Sequence, residues 1–181
     1  YEYFKKDGLT IQKVGFGATF NGLPISVKYD TIENIFSFPL NYLDKDSSRG
    51  YYLTSIPGLG TYGQSISRNY EVDGWGTIST PHSTYEVIRV KTVLKQKDTL
   101  YFDQLQFGNE IAQPDIIIFQ WFAQDYELPV LQVSTQLGIM LEGWYIDDLS
   151  NNIFESISPS SVLYPNPCFD KIHVSSTELN N

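Results

Sequence analysis

Paired carboxylates are the residues of this sequence that could cleave a glycosidic bond, because an acid and a base or nucleophile must flank that bond. The candidates are Glu71 with Asp73, Glu110, and the adjacent pair Asp147 and Asp148. Neighbouring strand residues point to opposite faces of a sheet, so Asp147 and Asp148 are not expected to face one substrate together. Acidic side chains on solvent-facing strand surfaces explain these positions more simply, which disfavours glycosidase chemistry.

Histidine and cysteine do not form a catalytic or metal-binding pattern. His82 follows a proline in a turn, whereas His173 and Cys168 lie near the C-terminus without neighbouring partners. The sequence contains no nucleophile elbow, zinc-protease or phosphate-loop motif. Asp44–Gly50 alternates oxygen-bearing side chains as a calcium loop does, but Arg49 stands where an EF-type loop needs glycine. We therefore predict a solvated loop there, with no catalytic residue, no metal site and no cofactor.

The composition indicates a folded acidic protein. The 181 residues include 12 Lys and Arg against 21 Asp and Glu, giving a formal net charge of −9. Because such a chain repels phosphate backbones, we expect no nucleic-acid partner. No run of 18 apolar residues occurs, so we expect no transmembrane helix. Tyr1–Lys6 lacks the apolar region of a signal peptide, which leaves a cytosolic protein or one whose export signal is removed or lies outside this sequence.

Alternating apolar residues predict the elements that must position any site. The clearest is a hairpin around Asn21-Gly22, with Val14–Phe20 and Leu23–Tyr29 as its strands. Residues 30–48 are predicted to be irregular, Asp73-Gly74 to break a strand, and 95–98 to form a polar turn. Further strands are expected over 51–56, 64–72, 75–79, 85–94, 99–107, 116–122, 128–135 and 139–145.

These nine or ten strands predict an all-β fold, a single antiparallel domain built as a strongly curled sheet, a barrel or a sandwich. Composition changes after residue 148, and the polar run Ser156–Ser161 is typical of a linker. We therefore predict a domain over 1–157 and a C-terminal appendage over 158–181.

Aromatic side chains are the remaining candidates for binding. They could form a sugar-stacking platform or line an apolar cavity, although packing on the sheet is the simpler explanation for each of them. An exposed row would change that interpretation. The residues concerned are Trp75, Trp121, Trp144, Tyr101, Tyr126 and Tyr145.

The C-terminal segment Val162–Val174 carries a specific motif, Tyr164-Pro165-Asn166-Pro167, followed by Asp170 and alternating apolar residues. It resembles the start of the C-terminal sorting domain of type IX secretion cargo, which also follows a Ser/Pro-rich linker. About 20 residues match, whereas the family's domain is several times longer. The resemblance implies export to the cell surface or medium, with the secretion machinery as a partner.

A second resemblance lies in the main domain. This domain resembles an uncharacterised domain of the same secreted proteins, in which similar segments occur in the same order. These segments are Phe38-Pro39-Leu40 with Tyr42, Val72–Pro81, Tyr85–Lys91, Gln120-Trp121-Phe122 and Leu128-Pro129-Val130-Leu131. The likeness covers about residues 30–135, and Ser83 departs from a family position that is usually glycine. The hairpin turn at Pro81, followed later by a strand with Trp121 and a strand that begins near Pro129, is also similar to periplasmic lipoprotein-carrier-like domains. This similarity is at the level of fold, and the sheet of those domains curls around an apolar cavity.

The expected function is that of a secreted or cell-surface, non-catalytic binding or scaffold domain. One alternative is a carrier of an apolar, lipid-like ligand inside a curled sheet. The other is a glycosidase-type hydrolase, which needs two carboxylates facing each other across a cleft. Carbohydrate and apolar compounds are the ligands that these alternatives imply.

Overall fold

The structure is a computed structural model. It describes the backbone of residues 1–20, 22–81, 83–124, 126, 128–148, 153–157, 162–164 and 171–175, and side chains up to residue 146 except those of 20 and 23. Within these residues all regular structure is β, as the sequence predicts, and no helix occurs. The strands are β1 Glu2–Asp7, β2 Thr10–Phe20, β3 Leu23–Ser37, β4 Lys45–Ile56, β5 Gly60–Ser79, β6 Thr84–Phe102, β7 Phe107–Ala112, β8 Ile116–Ala123, β9 Leu131–Gln136, β10 Ile139–Asp148, β11 Ile153–Ile157, β12 Val162–Tyr164 and β13 Lys171–Ser175.

Two compact units divide the chain, and β5 and β6 are long enough to contribute to both. The first unit consists of Tyr1–Leu40, Asp46–Asn69 and Leu94–Asp115. The second consists of Asn41–Lys45, Tyr70–Val93 and Ile116–Asn181. Each unit therefore combines segments that are distant in sequence, which a boundary drawn along the sequence does not capture.

The first unit is a run of neighbouring strands in the order β1-β2-β3-β4-β5-β6, with β7 paired to β6. The predicted hairpin is confirmed: Phe20 pairs with Leu23 across the turn, and Gly22 has a φ of 79°. Such a positive φ is readily adopted by glycine and matches the twist of a two-residue hairpin. The interior of this unit contains Tyr29 and Tyr52 together with the charged pair Glu33 and Arg68.

The second unit has the strand order β5-β6-β8-β9-β10-β11. β13 pairs in parallel with β5, with Lys171 opposite Thr77, and antiparallel with β12. β8 to β10 are antiparallel, so that Trp121, Leu131 and Tyr145 lie side by side. The buried cluster consists of Ile78, Tyr85, Val87, Trp121, Val130, Leu131, Val133, Tyr145 and Ile146.

Two predicted loops are strands in the structure. β3 extends to Ser37 and β4 begins at Lys45, so the prediction of irregular structure over 30–48 holds only for 38–44 and is wrong for the rest. The loop predicted at Asp44–Gly50 is likewise a strand from Lys45 onward. The sequence does not predict these strands because they contain many polar residues, and the partners of those residues lie on distant parts of the chain. Glu33, for example, is buried against Arg68 of β5, a neighbour that periodicity cannot reveal.

Two predicted strand breaks are also wrong. Asp73-Gly74 lies within β5, where the Asp73 side chain is paired with Arg89 of β6. The predicted turn over 95–98 lies within β6, where Lys97 pairs with Ala112 of β7 and Asp98 pairs with Ile111. Cross-strand partners thus keep these polar segments extended.

Some strands lie outside the sequence prediction altogether. β1 and β7 are exposed at every residue, so neither shows the alternation of apolar and polar side chains that marks a half-buried strand. The appendage predicted over 158–181 contains β12 and β13. The boundary near residue 157 stays a prediction.

Candidate functional site

The hairpin formed by β6 and β7 presents a distinct set of side chains on each of its two faces. Directly opposed residues of an antiparallel pair lie on the same face. Tyr101 opposes Gly108, Thr99 opposes Glu110 and Lys97 opposes Ala112. We call this surface the Tyr101 face, and it consists of Lys97, Thr99, Tyr101, Gly108, Glu110 and Ala112. The other surface contains Phe107 and Ile111, and we call it the Phe107 face.

The Tyr101 ring lies across the position of the missing Gly108 side chain. A Cβ atom built on Gly108 would come within 2.9 Å of Tyr101 Cδ2 and 3.7 Å of Tyr101 Cβ. The absence of that atom lets the ring lie over the neighbouring strand, while 43% of the residue stays exposed to solvent. The Tyr101 ring therefore packs against β7 at Gly108 and remains accessible to solvent.

Polar groups lie beside this ring on the same face. Lys97 and Glu110 form an ion pair across the two strands, and Thr99 is directly opposite Glu110. The Tyr101 face therefore carries an ammonium group, a carboxylate and a hydroxyl group next to the aromatic ring. Together they supply both hydrogen-bond donors and acceptors.

A hydrogen-bond network around Asp98 holds the base of the hairpin. Asp98 Oδ1 accepts hydrogen bonds from Tyr62 Oη at 3.1 Å and Gln64 Nε2 at 2.7 Å, and Oδ2 accepts one from Gln113 Nε2 at 2.7 Å. Gln96 Nε2 also donates to Gln64 Oε1 at 3.1 Å. The network ties β5 and β6 to the segment that follows β7, which fixes the register of the hairpin.

The phenol groups next to this network stay neutral at ordinary pH. Burial raises the pKa of Tyr62, the hydrogen bond with Tyr52 lowers it, and the charge of Asp98 raises it again. The pKa of Tyr52 is raised chiefly by burial and then by its hydrogen bond with Tyr62. Tyr62 therefore keeps the proton that it donates to Asp98, and the carboxylate has three donors already in place.

The carboxylates that the sequence singled out are mostly engaged by cations. Glu71 pairs with Lys45 at 2.9 Å, and Glu110 pairs with Lys97. Asp73 accepts two hydrogen bonds from Arg89, from Nε at 2.9 Å and from Nη2 at 3.1 Å. The Arg89 guanidinium also lies 5.5 Å from the centre of the Phe119 ring. The side chains of Asp147 and Asp148 lie outside the described residues.

The six aromatic candidates divide between interior and surface. Trp121 and Tyr145 belong to the buried cluster of the second unit, and Tyr126 packs edge-to-face on Tyr85 at 5.6 Å between ring centres. Trp75 is 70% exposed on β5, and Tyr101 is exposed on β6. Trp144 is half-buried.

The remaining predicted positions give no site in the part of the chain that the structure describes. His82, Cys168 and Pro165–Pro167 lie outside it, and Tyr164 and His173 are described only through their backbone in β12 and β13. Among the described residues, no group of three or more His, Cys, Asp or Glu side chains could hold a metal ion.

Sequence reasoning named Tyr101 but missed Gly108 and Asp98. Gly108 matters only because it opposes Tyr101, and Asp98 only because three donors from other segments reach it. The local signal is the polar run 95–98, which predicts a turn. A hairpin closing at 103–106 would have placed Gly108 opposite Tyr101.

Comparisons with family models, with curated proteins and with solved structures found no match for this chain. Within the described residues, no helix has the length and apolar character needed to cross a membrane.

Proposed function

We propose that this chain is an exported, non-catalytic binding module whose Tyr101 face binds carbohydrate. The observation that carries the proposal is the Tyr101 ring, which lies over Gly108 and remains 43% exposed. An aromatic ring that is held in place and still exposed offers a flat apolar surface on which a ligand can stack.

Carbohydrate is the ligand class that suits this combination of groups. One face of a pyranose ring presents weakly positive C–H groups, which pack on the negative face of an aromatic ring. Its hydroxyl groups need donors and acceptors near the edge of that ring. Thr99 and the pair Lys97 and Glu110 supply both on the same face as Tyr101.

The state of the carboxylates supports binding rather than hydrolysis. A glycosidase needs one carboxyl group to donate a proton and a second to act as base or nucleophile. Asp73 and Glu110 are each paired with a basic side chain, and Asp98 accepts three hydrogen bonds. Each of these carboxylates thus already accepts contacts from its neighbours, a role that suits binding rather than proton donation or nucleophilic attack.

Export is proposed from the resemblance of Tyr164-Pro165-Asn166-Pro167 to the type IX sorting motif. A binding module on the cell surface or in the medium would meet polysaccharides there, and a net charge of −9 favours solubility. Cell fractionation of the source organism tests this part: the chain is expected at the surface or in the medium, and a purely cytosolic pool would contradict it.

A second candidate function, binding of an apolar ligand, is favoured by the Phe107 face. Phe107 is 58% exposed, Ile111 is 42% exposed, and Leu105 in the connecting turn is exposed as well. This surface lies on the opposite side of the hairpin from Tyr101. The two candidates therefore predict contacts on different faces of the same element.

Affinity electrophoresis through gels containing soluble polysaccharides tests the carbohydrate proposal, followed by calorimetry on any polysaccharide that retards the chain. Tyr101→Ala is expected to weaken binding about tenfold, the value of one lost stacking contact. Tyr51→Ala, which removes an exposed tyrosine of β4, is the matched control and should bind as the wild type does.

Three results would contradict the proposal. Tyr101→Ala could bind as tightly as the wild type, the polysaccharide could be cleaved to reducing sugar, or no polysaccharide could retard the chain. A fluorescent fatty acid that binds the wild type and is lost in Phe107→Ser, with no polysaccharide bound, would instead establish the second candidate.

A further inference from the structure

We propose that β1, β2 and β3 form a second carbohydrate site, centred on Tyr3, which binds sugars that carry a carboxylate. This site is distinct from the Tyr101 face, which lies on β6 and β7, and neither proposal depends on the other. The inference rests on the position of the Tyr3 ring over a glycine of β2 and on the polar side chains that β3 places on the same face.

The Tyr3 ring lies over the backbone of β2 at Gly17. A Cβ atom built on Gly17 would come within 3.1 Å of Tyr3 Oη, 3.8 Å of Cζ and 3.9 Å of Cε2. The phenol end of the ring therefore lies where a larger residue of β2 would place its side chain. Even so, 47% of Tyr3 stays exposed to solvent. The ring contacts β2 and still offers a flat apolar surface to a ligand.

Backbone pairing fixes the register of β1 on these glycines. Gly17 N donates a hydrogen bond to Tyr1 O at 2.8 Å, and Tyr3 is directly opposite Gly15. Gly15 and Gly17 are two residues apart, so both belong to the face of β2 on which Tyr3 lies. This face of β2 therefore has no side chain at either position beside the ring.

β3 supplies the polar groups of the site. Ser26 is opposite Gly17 and Lys28 is opposite Gly15, and opposed residues of an antiparallel pair lie on the same face. Both side chains are exposed. Since neighbouring strands are about 4.8 Å apart, the backbones of Tyr3 and Lys28 are separated by about 10 Å, with only a glycine between them. That distance allows one sugar to contact the ring and the ammonium group together.

The Lys28 ammonium group determines the charge of the expected ligand. Among the described residues no ion pair includes Lys28, whereas Lys97 of the Tyr101 face is paired with Glu110. A carboxylate bound beside Tyr3 would form a charge-assisted hydrogen bond with Lys28 without displacing a carboxylate of the protein.

A uronic acid combines the features that this site requires. Its pyranose ring has C–H groups that pack on the negative face of an aromatic ring, and its carboxylate matches the Lys28 ammonium group. The Ser26 hydroxyl both donates and accepts hydrogen bonds, which suits the hydroxyl groups of the sugar.

Binding at this site is expected to be weak. One aromatic ring and one cation make few contacts, and the formal net charge of −9 repels a polyanion. At physiological ionic strength, charges more than about 8 Å apart are largely screened, which reduces this repulsion more than the direct contact with Lys28. Affinities should therefore be measured at that ionic strength.

Calorimetry of the complete chain with polygalacturonate, alginate and hyaluronan, three polysaccharides that contain uronic acids, tests the proposal. Tyr3→Ala should weaken binding of the acidic polysaccharide about tenfold, the value of one lost stacking contact. Tyr3→Phe keeps the ring and should bind nearly as the wild type does. Tyr42→Ala is the matched control, because Tyr42 is 52% exposed, and it should leave the affinity unchanged.

The contribution of charge is tested by altering either partner. Lys28→Gln should weaken binding about fivefold, the value of one exposed ion pair. Lys45→Gln makes the same change of net charge at an exposed lysine of β4 and should bind as the wild type does. Methyl esterification of the polysaccharide removes its carboxylates, so the wild type and Lys28→Gln should then bind it equally.

Failure of this proposal can be distinguished from failure at the Tyr101 face. Tyr3→Ala should bind an uncharged polysaccharide as the wild type does, whereas Tyr101→Ala should not. The second site is overturned if none of the three acidic polysaccharides binds, or if Tyr3→Ala binds them as tightly as the wild type. Equal losses of affinity in Lys28→Gln and Lys45→Gln would also overturn it. Circular dichroism of each variant verifies that the chain is folded.

Discussion

The interiors of the two units are built from different kinds of side chain. The first buries an ion pair beside packed tyrosines, whereas the second buries a cluster of mainly aliphatic and aromatic side chains. Both interiors are formed by β-strands of one chain and experience the same solution conditions. The comparison shows that similar strands can be stabilised by interactions that respond differently to mutation and to pH.

The ion pair of the first unit joins Glu33 of β3 to Arg68 of β5. Arg68 Nε donates to Glu33 Oε1 at 2.7 Å, and the two side chains are only 9% and 2% exposed. The neighbouring tyrosines pack in a chain, with 5.2 Å between the ring centres of Tyr29 and Tyr52 and 6.0 Å between those of Tyr52 and Tyr62. Polar groups buried in this way stabilise the fold only while every partner is present.

The second unit depends on burial of apolar area. Val130 and Leu131 are fully buried within its cluster, and Val130 also donates a backbone hydrogen bond to Trp121 O at 2.7 Å. Its aromatic contacts lie at the margin of the cluster, as in the pair Tyr85 and Tyr126. The free energy of this interior should follow the volume of its side chains rather than their charge.

Removing one partner of the buried ion pair should give the largest effect. Arg68→Met leaves Glu33 buried without its cation, which should destabilise the chain by about 3–5 kcal/mol in urea unfolding. The double variant Glu33→Leu/Arg68→Met removes both charges and should recover most of that loss.

An exposed ion pair provides the control for this prediction. Lys45→Met breaks the pair with Glu71, whose members are both well exposed, and should cost less than about 1 kcal/mol. If Arg68→Met and Lys45→Met reduce the free energy of unfolding equally, burial of the Glu33–Arg68 pair has no energetic consequence.

A cavity in the second unit should have the next largest effect. Leu131→Ala removes three heavy atoms from a fully buried position and should reduce the free energy of unfolding by about 3 kcal/mol. Leu128→Ala, at an exposed leucine nearby in sequence, should change it by less than about 0.5 kcal/mol. If the two variants unfold at the same urea concentration, the apolar cluster does not stabilise this unit.

Alkaline pH should destabilise the chain through its buried tyrosines. Burial raises the pKa values of Tyr29, Tyr52 and Tyr62 above the ordinary value of 10.0, with Glu33 also raising that of Tyr29. A raised folded-state pKa means that stability is fully present below pH 10 and is lost as the pH rises above it, because the unfolded phenols ionise first. In the second unit, burial likewise raises the pKa of Tyr85.

Tyr52→Phe tests this pH dependence. Above pH 10 the wild type should unfold at a progressively lower urea concentration as the pH rises. The urea concentration that unfolds the variant should fall less over the same pH range. Ultraviolet absorbance of phenolate should show the buried tyrosines ionising together with unfolding. Smooth ionisation of all 13 tyrosines near pH 10 without unfolding would contradict the prediction.

A small change in stability is expected at Gly108. The new methyl group of Gly108→Ala would lie 2.9 Å from Tyr101 Cδ2 and 3.2 Å from the backbone atom Leu100 O. The exposed ring must move and the backbone must shift slightly, at a cost of about 1 kcal/mol. Polysaccharide binding should nevertheless weaken, because the aromatic surface is no longer held flat. Unchanged affinity in calorimetry, with the ring displaced, would show that this support is irrelevant.

Sequence patterns identified the elements whose stabilisation is local or strongly apolar. The Asn21-Gly22 hairpin and the apolar run Ile116–Phe122 were recognised because a turn type or continuous burial determines them. β7 was missed because its six residues are all exposed. Neither face of this strand is buried, so its sequence lacks the alternation of apolar and polar residues that predicts a strand. The continuous course of β5 through Asp73 depends on Arg89, a partner 16 residues away.

Only part of the candidate site could be predicted from the sequence, for the same reason. Tyr101 was named as an aromatic candidate, but its support by Gly108 follows from the register of β6 with β7. That register is fixed by the Asp98 network, whose donors Tyr62, Gln64 and Gln113 come from three separate positions in sequence. Interactions of this kind depend on distant partners, which periodicity does not encode.

Nuclear magnetic resonance titration of the labelled chain with a bound polysaccharide tests the proposed site most directly. Shifts are predicted to concentrate on the Tyr101 ring and on the amides of Thr99, Gly108 and Glu110, with smaller changes at the Phe107 and Ile111 side chains on the opposite face. Shifts confined to Phe107 and Ile111, or absent from the β6–β7 hairpin altogether, would contradict binding at the Tyr101 face.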